Sequence, residues 1–307
     1  MITISVIIPT VYMKHPKALF RAICSIKQAA TADISYWVTV IANDVPIRVS
    51  AETIANDIHR KTHIAAEALV SHVNKGFAPA VNDGIVYERA RRDPDWYFVL
   101  NDDACVHKGF FVSLLSKLGS DRYDVVSCKI IAPGGEIESV GLNYNKTGVA
   151  LPRRRDAIPK DASIFSGTCV LLYKNRVKKE LKKHGYVFNP LFFAYSEDLE
   201  LSLRIHKDGG KIYISNEPLV THLGSQTAGR GSYFQLYHSY RNWLLVVLLH
   251  WPLIKIIINI PPLLLGQLYI FGMTLYKRHL LVYPKALWFV VRNMRIILYQ
   301  RKHYSDK

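Results

Sequence analysis

Trp96-Tyr97-Phe98-Val99-Leu100-Asn101-Asp102-Asp103-Ala104-Cys105-Val106 decides how this chain is read. Five large apolar residues run directly into a polar cluster, and a short apolar patch follows. An unbroken apolar run of that kind fits a strand buried on both faces, as in a parallel sheet. The cluster then falls at the strand's carboxyl end, where open α/β sheets hold their ligands. Two adjacent carboxylates repel each other and lose hydration on burial, and a hard divalent cation relieves both costs. Mg²⁺ takes one or two carboxylates and fills its other positions with water and substrate phosphates. The stretch reads either as a metal–diphosphate site or, more commonly for such a cluster in isolation, as a solvated Asn-Asp turn.

Upstream, the pattern alternates. Ile4-Ser5-Val6-Ile7-Ile8-Pro9-Thr10 is a β-branched strand stopped near its proline, and Lys17 to Ala30 carries Leu19, Ile23 and Ile26 near helical spacing. Tyr36 to Ala42 is a second strand ending at Asn43-Asp44, and Ala51 to Arg60 a helix. A short strand lies within Ile64–Val73 before Asn74-Lys75-Gly76-Phe77, and Ala78 to Arg91 is a helix. This βαβαβαβ order predicts an α/β fold with a doubly wound, mostly parallel sheet. Thr10, Asn43, Asn74 and Asn101 then gather on one rim.

The second half is less regular. Strands are expected over Tyr123–Ile131 and Ile137–Tyr144, with a turn at Pro133-Gly134-Gly135. Residues 145–161 are polar and aperiodic, a loop whose Arg153-Arg154-Arg155 run either grips phosphate or is simply solvated. Ser166-Gly167-Thr168 sits inside an apolar run from Ile164 to Tyr173, and a glycine there permits close approach of a ligand or another backbone. An aromatic block, Phe192-Phe193-Ala194-Tyr195, precedes Ser196-Glu197-Asp198-Leu199-Glu200. Ser196 is the expected N-cap of a helix with acids in its first turn. Aromatics beside a carboxylate raise its pKa and shape a pocket, as a general base requires. Lys211–Ile214 is a strand, and His222 stands at the end of another.

The chain is strongly basic, with a formal charge of +16, which points to an anionic partner. Residues 227–307 hold 11 Lys/Arg against one acid, Asp306, leaving +6 for the first 226. Cys24, Cys105, Cys128 and Cys169 are scattered singly, as reduced residues of a cytosolic protein are. Met1 to Ser5 shows no basic segment followed by an apolar one, so no signal peptide is expected. Ile256 to Tyr276 is nominally long enough to span a bilayer, but Pro261-Pro262 interrupts it. Trp243, Trp251, Tyr269, Tyr276 and Trp288 suit the membrane interface, and the surrounding bases suit anionic headgroups. Residues 242–302 are therefore expected to form helices lying in the cytoplasmic leaflet, with a buried helical subdomain or a homodimer interface as the alternatives. The expected division is a catalytic domain over 1–226 and a membrane-associating region over 227–307.

With these motifs in order, the chain resembles the family 2 glycosyltransferases, especially bacterial rhamnosyltransferase-like members that build surface polysaccharides. The resemblance rests on Val6–Thr10, Asn74–Ile85, Leu100–Asp103, Ser166–Thr168, Phe193–Leu201, His222 and the basic apolar tail. It implies a GT-A fold, a nucleotide-sugar donor, Mg²⁺ or Mn²⁺, and inversion at the anomeric carbon. It implies that Asp103 is a metal ligand with His222 near the metal, that Asp198 is the catalytic base, and that Glu197 is its acidic neighbour. Asn101, where many relatives carry Asp, and Asp102 complete the diphosphate element. Pro9, Thr10, Asn74, Gly76, Phe77, Asn82 and Gly167 fall in stretches that shape the donor pocket. Relatives commonly read Val-Asp-Asn after the second strand, and that Asp contacts the nucleotide base. Here Asn43 or Asp44 must take its place. A lipid-linked or polysaccharide acceptor, handled at the cytoplasmic face of the bacterial inner membrane, accounts for the tail.

Two other classes were weighed. A nucleotidyltransferase on a similar sheet wants a Gly-rich phosphate loop after the first strand, and Pro9-Thr10-Val11-Tyr12-Met13 contains no glycine. A non-catalytic basic protein that binds membrane or nucleic acid does not account for carboxylates clustered at strand ends, which repel phosphates. No nucleic-acid partner is expected.

Overall fold

The computed structural model describes residues 1–119, 123–154, 164–224 and 231–305. The first half follows the alternation read above: β1 (Ile2–Thr10), α1 (Pro16–Ala29), β2 (Ile34–Ala42), α2 (Ala51–Thr62), β3 (Ala66–Val70), α3 (Phe77–Arg91) and β4 (Trp96–Leu100). These four strands run parallel, with Val6 opposite Val38 on one side and Phe98 on the other. Every residue of β4 is fully buried. Trp96, Phe98 and Leu100 face one core with Ile4, Val6 and Ile8, while Tyr97 and Val99 face a second with Ile7. That two-sided burial is why the run reads as continuously apolar.

The chain continues through β5 (Ala104–Val106), α4 (Phe110–Leu118), β6 (Val125–Ile131), β7 (Ile137–Ser139), β8 (Leu142–Tyr144), β9 (Ala150–Pro152), β10 (Cys169–Tyr173), α5 (Lys174–His184), a 3₁₀ turn at Pro190–Phe192, α6 (Glu197–Lys207) and β11 (Ile212–His222). The main sheet runs β3-β2-β1-β4-β10-β6-β11-β5, with β7 beside β6. Strand β10 is antiparallel to both its neighbours, and β8 and β9 form a separate ribbon. Five helices close the chain: α7 (Tyr233–His250), α8 (Leu253–Ile258), α9 (Ile260–Tyr276), α10 (Val282–Arg292) and α11 (Met294–Ser305).

Several expectations change. The strand predicted over Ile137–Tyr144 breaks at Gly141, whose φ is +93° and where a Cβ would lie 2.1 Å from the Ile164 carbonyl oxygen. Part of the expected 145–161 loop is the strand β9. Strand β10 begins only after Ser166-Gly167-Thr168. The two strands expected around Ile214 and His222 are one, because register shifts around Pro218 absorb the missing N–H. Helices α4 and α5 were not foreseen. Arg153 is spent internally, donating to Asn143 Oδ1 at 2.8 Å and to the Leu142 carbonyl. Arg154 is exposed, while Arg155 and the rest of 155–163 lie outside the described residues.

The tail departs from a simple membrane span. The apolar run breaks at Asn259 between α8 and α9. Among the described residues no helix is long and apolar enough to cross a membrane. The stretch 242–250, expected at the bilayer, belongs to α7 and is largely buried, with Asn242 and Leu245 wholly so. The expected boundary at 226 lies outside the described residues.

Candidate active site

A cavity of about 640 Å³ opens at the carboxyl ends of β1, β2 and β4. Its second wall comes from the amino end of α6, and its far side from β8, β9, α7 and α9. Pro9, Thr10, Asn43, Asn74, Gly76, Phe77 and Asn101–Asp103 line the first side. Gly167, Glu197, Asp198 and His222 line it too. The sheet thus gathers thirteen of the residues expected from the sequence.

On the floor, Asp102 accepts a hydrogen bond from the Thr10 hydroxyl at 2.5 Å. Burial, reinforced by the neighbouring Asp103, pushes its pKa up to about 6 despite that bond. Asp103 Oδ1 stands 2.9 Å from His222 Nε2, joining the end of β4 to the end of β11. The other ring nitrogen of His222 is 3.0 Å from Glu138 Oε1. Burial alone lowers an imidazole pKa, but the two carboxylates outweigh it and raise His222 to about 9.

This donor set fits a small divalent cation. Asp103 and His222 are the side chains that would hold the ion, the imidazole giving up the Nε2 proton that it now shares with Asp103. Glu138 on Nδ1 would keep the ring in that orientation. Among the described residues no three His, Cys, Asp or Glu side chains converge as a cage. Two protein ligands leave the remaining positions to water and phosphate oxygens, as Mg²⁺ favours.

At the amino end of α6, Asp198 Oδ2 accepts the Gly167 N–H at 2.8 Å, and Oδ1 accepts the Leu199 N–H at 2.8 Å. Burial nonetheless raises its pKa. Burial and the adjacent Asp198 charge push Glu197 up to about 8, and Glu197 Oε2 is buried without a hydrogen-bond partner. The backbone leading here is held in the left-handed region at Phe193, Tyr195 and Ser196. Three such non-glycine residues in four store strain that the surroundings must hold. Asn242 supplies the restraint: its amide donates to the carbonyls of Phe192, Ala194 and Tyr195 at 2.9, 2.8 and 2.5 Å. Ser196 occupies the expected N-cap place, but its left-handed backbone turns the hydroxyl away and it caps nothing.

At the end of β2, Asn43 is buried and donates to the Gly76 carbonyl at 3.4 Å, leaving its Oδ1 buried without a partner. Asp44 is exposed, at φ +56°, and does not line the cavity. Of the two residues offered by the sequence, Asn43 lines the cavity and Asp44 does not. Asn74 accepts the Gly76 N–H at 2.9 Å. Gly76 has φ +86°, and a Cβ there would lie 2.5 Å from the Phe193 carbonyl oxygen. Asn82 does not reach the cavity. Its amide bonds the backbone of Val187 and Phe188, which makes it a brace between α3 and the segment before α6.

Sequence reasoning missed Glu138, whose partner is 84 positions away. It also missed the contribution of the tail: Tyr240, Trp243, Tyr269, Met273 and Lys277 all line the cavity. The tail's apolar character masked the inward face of α7.

Solved structures share this fold. GalNAc-T7, crystallised with UDP, GalNAc and Mn²⁺, aligns with a TM-score of 0.60 at 15% identity, over 81% of this chain and 49% of that one. The chain thus spans about half the length of GalNAc-T7. TarS 1-349 of S. aureus aligns with a TM-score of 0.55 at 12% identity, over 98% of this chain and 89% of that one. The TarS 1-349 complex with UDP gives 0.52 at 12%, over 88% and 70%. At such identities the likeness shows the fold, which is GT-A. No curated protein sequence matches the chain. The family model for glycosyl transferase family 2 matches residues 5–180, more than half of the chain, and the protein belongs to that family.

Proposed function

We propose that this nucleotide-sugar glycosyltransferase is a metal-dependent, inverting enzyme that extends a lipid-linked glycan. The observation that carries the reading is the meeting, in one cavity, of the Asp103–His222 pair and of Asp198. Direct displacement needs these two functions on opposite sides of the anomeric carbon. Asp198 takes the proton from the acceptor hydroxyl as its oxygen bonds to that carbon. The bond to the diphosphate oxygen breaks, and the electron pair leaves with the diphosphate. A divalent cation held by Asp103 and His222 supplies Lewis-acid stabilisation of that leaving charge. Thr10 holds Asp102 in place. The Gly167 amide fixes Asp198, so the base is oriented before substrate arrives.

The partnerless Oδ1 of Asn43 suits a ring N–H donor, which uracil and thymine both present at N3. UDP accompanies two solved structures of this fold. The donor is accordingly a UDP-hexose or dTDP-rhamnose. Leu142, Leu151, Trp243 and Met273 give the far side of the cavity an apolar lining, which suits an acceptor presented with its lipid.

The test is a donor screen on purified protein. UDP-glucose, UDP-galactose, UDP-GlcNAc, GDP-mannose and dTDP-rhamnose are each titrated with Mn²⁺ and with EDTA. Metal-dependent binding of one uridine or thymidine donor is expected, with NMR of the transfer product showing the inverted anomer. Retention of configuration, or binding that ignores EDTA, overturns the assignment.

A further inference from the structure

The C-terminal helices leave a large apolar face that no described residue covers. Among the described residues, 20 of the 29 exposed large apolar side chains lie between Leu253 and Tyr299. Helix α9 buries only Gly266, Ile270 and Thr274, while Leu264, Leu265, Leu268 and Phe271 stand open. Helix α10 packs Val282, Ala286 and Val290 inward and presents Leu287, Trp288 and Val291 outward. A helix apolar on both faces requires cover on both, and soluble monomers rarely expose contiguous patches of this kind.

The charge on this region says what covers it. Lys255, Lys277, Lys285, Arg292, Arg295 and Lys302 are exposed, and residues 231–305 contain no Asp or Glu. Two copies meeting through this face would bring like charges together with no acid to pair them. An anionic headgroup layer pairs with the bases while its acyl region takes the leucines and isoleucines. Exposed Tyr269, Tyr276, Trp288 and Tyr299 add the rings favoured at that boundary. No described helix is long and apolar enough to cross, so the helices lie along the surface.

We propose that the exposed face of α8–α11 docks on an anionic lipid leaflet, with the mouth of the cavity at headgroup level. The second part follows from α9, which carries Tyr269, Met273 and Lys277 into the cavity lining and its leucines into the open face. The inference stands apart from the sugar chemistry, since it is read without any substrate.

The experiment is flotation of the full chain with phosphatidylcholine vesicles, with and without phosphatidylglycerol, across a salt series. Light scattering in vesicle-free buffer gives the oligomeric state. Binding is expected with phosphatidylglycerol, weakening as salt rises. Leu264→Ser with Leu268→Ser should lower vesicle affinity roughly tenfold or more, and Arg292→Glu with Arg295→Glu should remove the preference for anionic vesicles. All four positions are exposed, so circular dichroism should match wild type. A protein that stays unbound with anionic vesicles at low salt overturns the proposal. So does equal binding to neutral vesicles, or a stable dimer that the leucine substitutions dissociate.

Discussion

Asp198 accepts the backbone N–H of Gly167 at 2.8 Å, across 31 positions of the chain. The contact joins the loop before β10 to the amino end of α6, and so ties the orientation of one carboxylate to the sheet itself. A Cβ at Gly167 would meet Asp198 Cβ only at 3.5 Å, an ordinary contact. The glycine therefore matters for what its amide donates and for the open space before the carboxylate.

Asp198→Asn is expected to fold and to lose transfer by roughly 10²–10⁴-fold. The amide keeps one of the two backbone bonds but cannot take a proton. Donor affinity, read by calorimetry, should stay within about threefold of wild type, because in the proposed reaction Asp198 acts on the acceptor hydroxyl and not on the donor. Turnover near wild type would remove Asp198 from the chemistry.

The pH profile follows from the Glu197–Asp198 pair. The base must be ionised, and burial raises the Asp198 pKa, so kcat should fall on the acid side at a pH above the ordinary carboxylate range. Glu197 ionises after Asp198, its pKa raised by burial and by the charge already on that neighbour, so Glu197→Gln should leave the acid limb nearly where it is. Stability carries the opposite sign. Glu197 titrates near 8 when folded against an ordinary 4.5. The native state thus binds an extra proton across that window, and its stability is fullest below it and lost as pH rises through about 8. The Glu197→Gln protein should lose less Tm than wild type between pH 6 and pH 9, conditions chosen as roughly bracketing the shift.

Glu138 lines the cavity and holds His222 through Nδ1. Glu138→Gln should raise the Mn²⁺ concentration needed for half activity by roughly 10–100-fold, while kcat at saturating Mn²⁺ changes little. A loss of kcat that added Mn²⁺ does not recover would mean that Glu138 acts on substrate directly.

The parallel half of the sheet was legible because two-sided burial leaves a direct mark: β4 reads as five apolar residues and is buried at every one. Strand-end positions then delivered the side of the cavity built by β1, β2 and β4, while the lining residues of the tail were not foreseen. What stayed hidden depends on contacts between distant residues. Glu138 on β7 has no local signature, and Asn242 is one polar residue in an apolar helix until its three carbonyl partners are seen. Asn82 shows the opposite error, since a motif position turned out to serve as a backbone brace. Helix α5 was overlooked because Lys174–His184 carries only Val177 and Leu181 as apolar anchors among its charges. Its burial is achieved by ions: Arg176 pairs with Glu180, and Arg204 of α6 with the same carboxylate.

Gly76 links backbone strain to the donor pocket. Its φ of +86° and the 2.5 Å approach to the Phe193 carbonyl oxygen admit no side chain. Gly76→Ala should destabilise the fold by about 1–3 kcal/mol, seen as a lower denaturation midpoint, and should weaken donor binding by moving Phe193 and Asn43 apart.

Asn43 gives the sharpest test of base recognition. Its Nδ2 is committed to Gly76 and its Oδ1 is buried with no partner, so a base that donates there satisfies an atom now left unpaired. Leaving such an acceptor unsatisfied costs about 1–3 kcal/mol. UDP and dTDP present N3–H and should inhibit as products. CDP, whose N3 is an acceptor, should inhibit roughly tenfold less or worse, since about 1.4 kcal/mol is a factor of ten. Asn43→Ala removes the discriminating atom and should bring UDP and CDP inhibition together. If CDP matches UDP against the unaltered enzyme, Asn43 does not read the base, and the pyrimidine assignment falls with it.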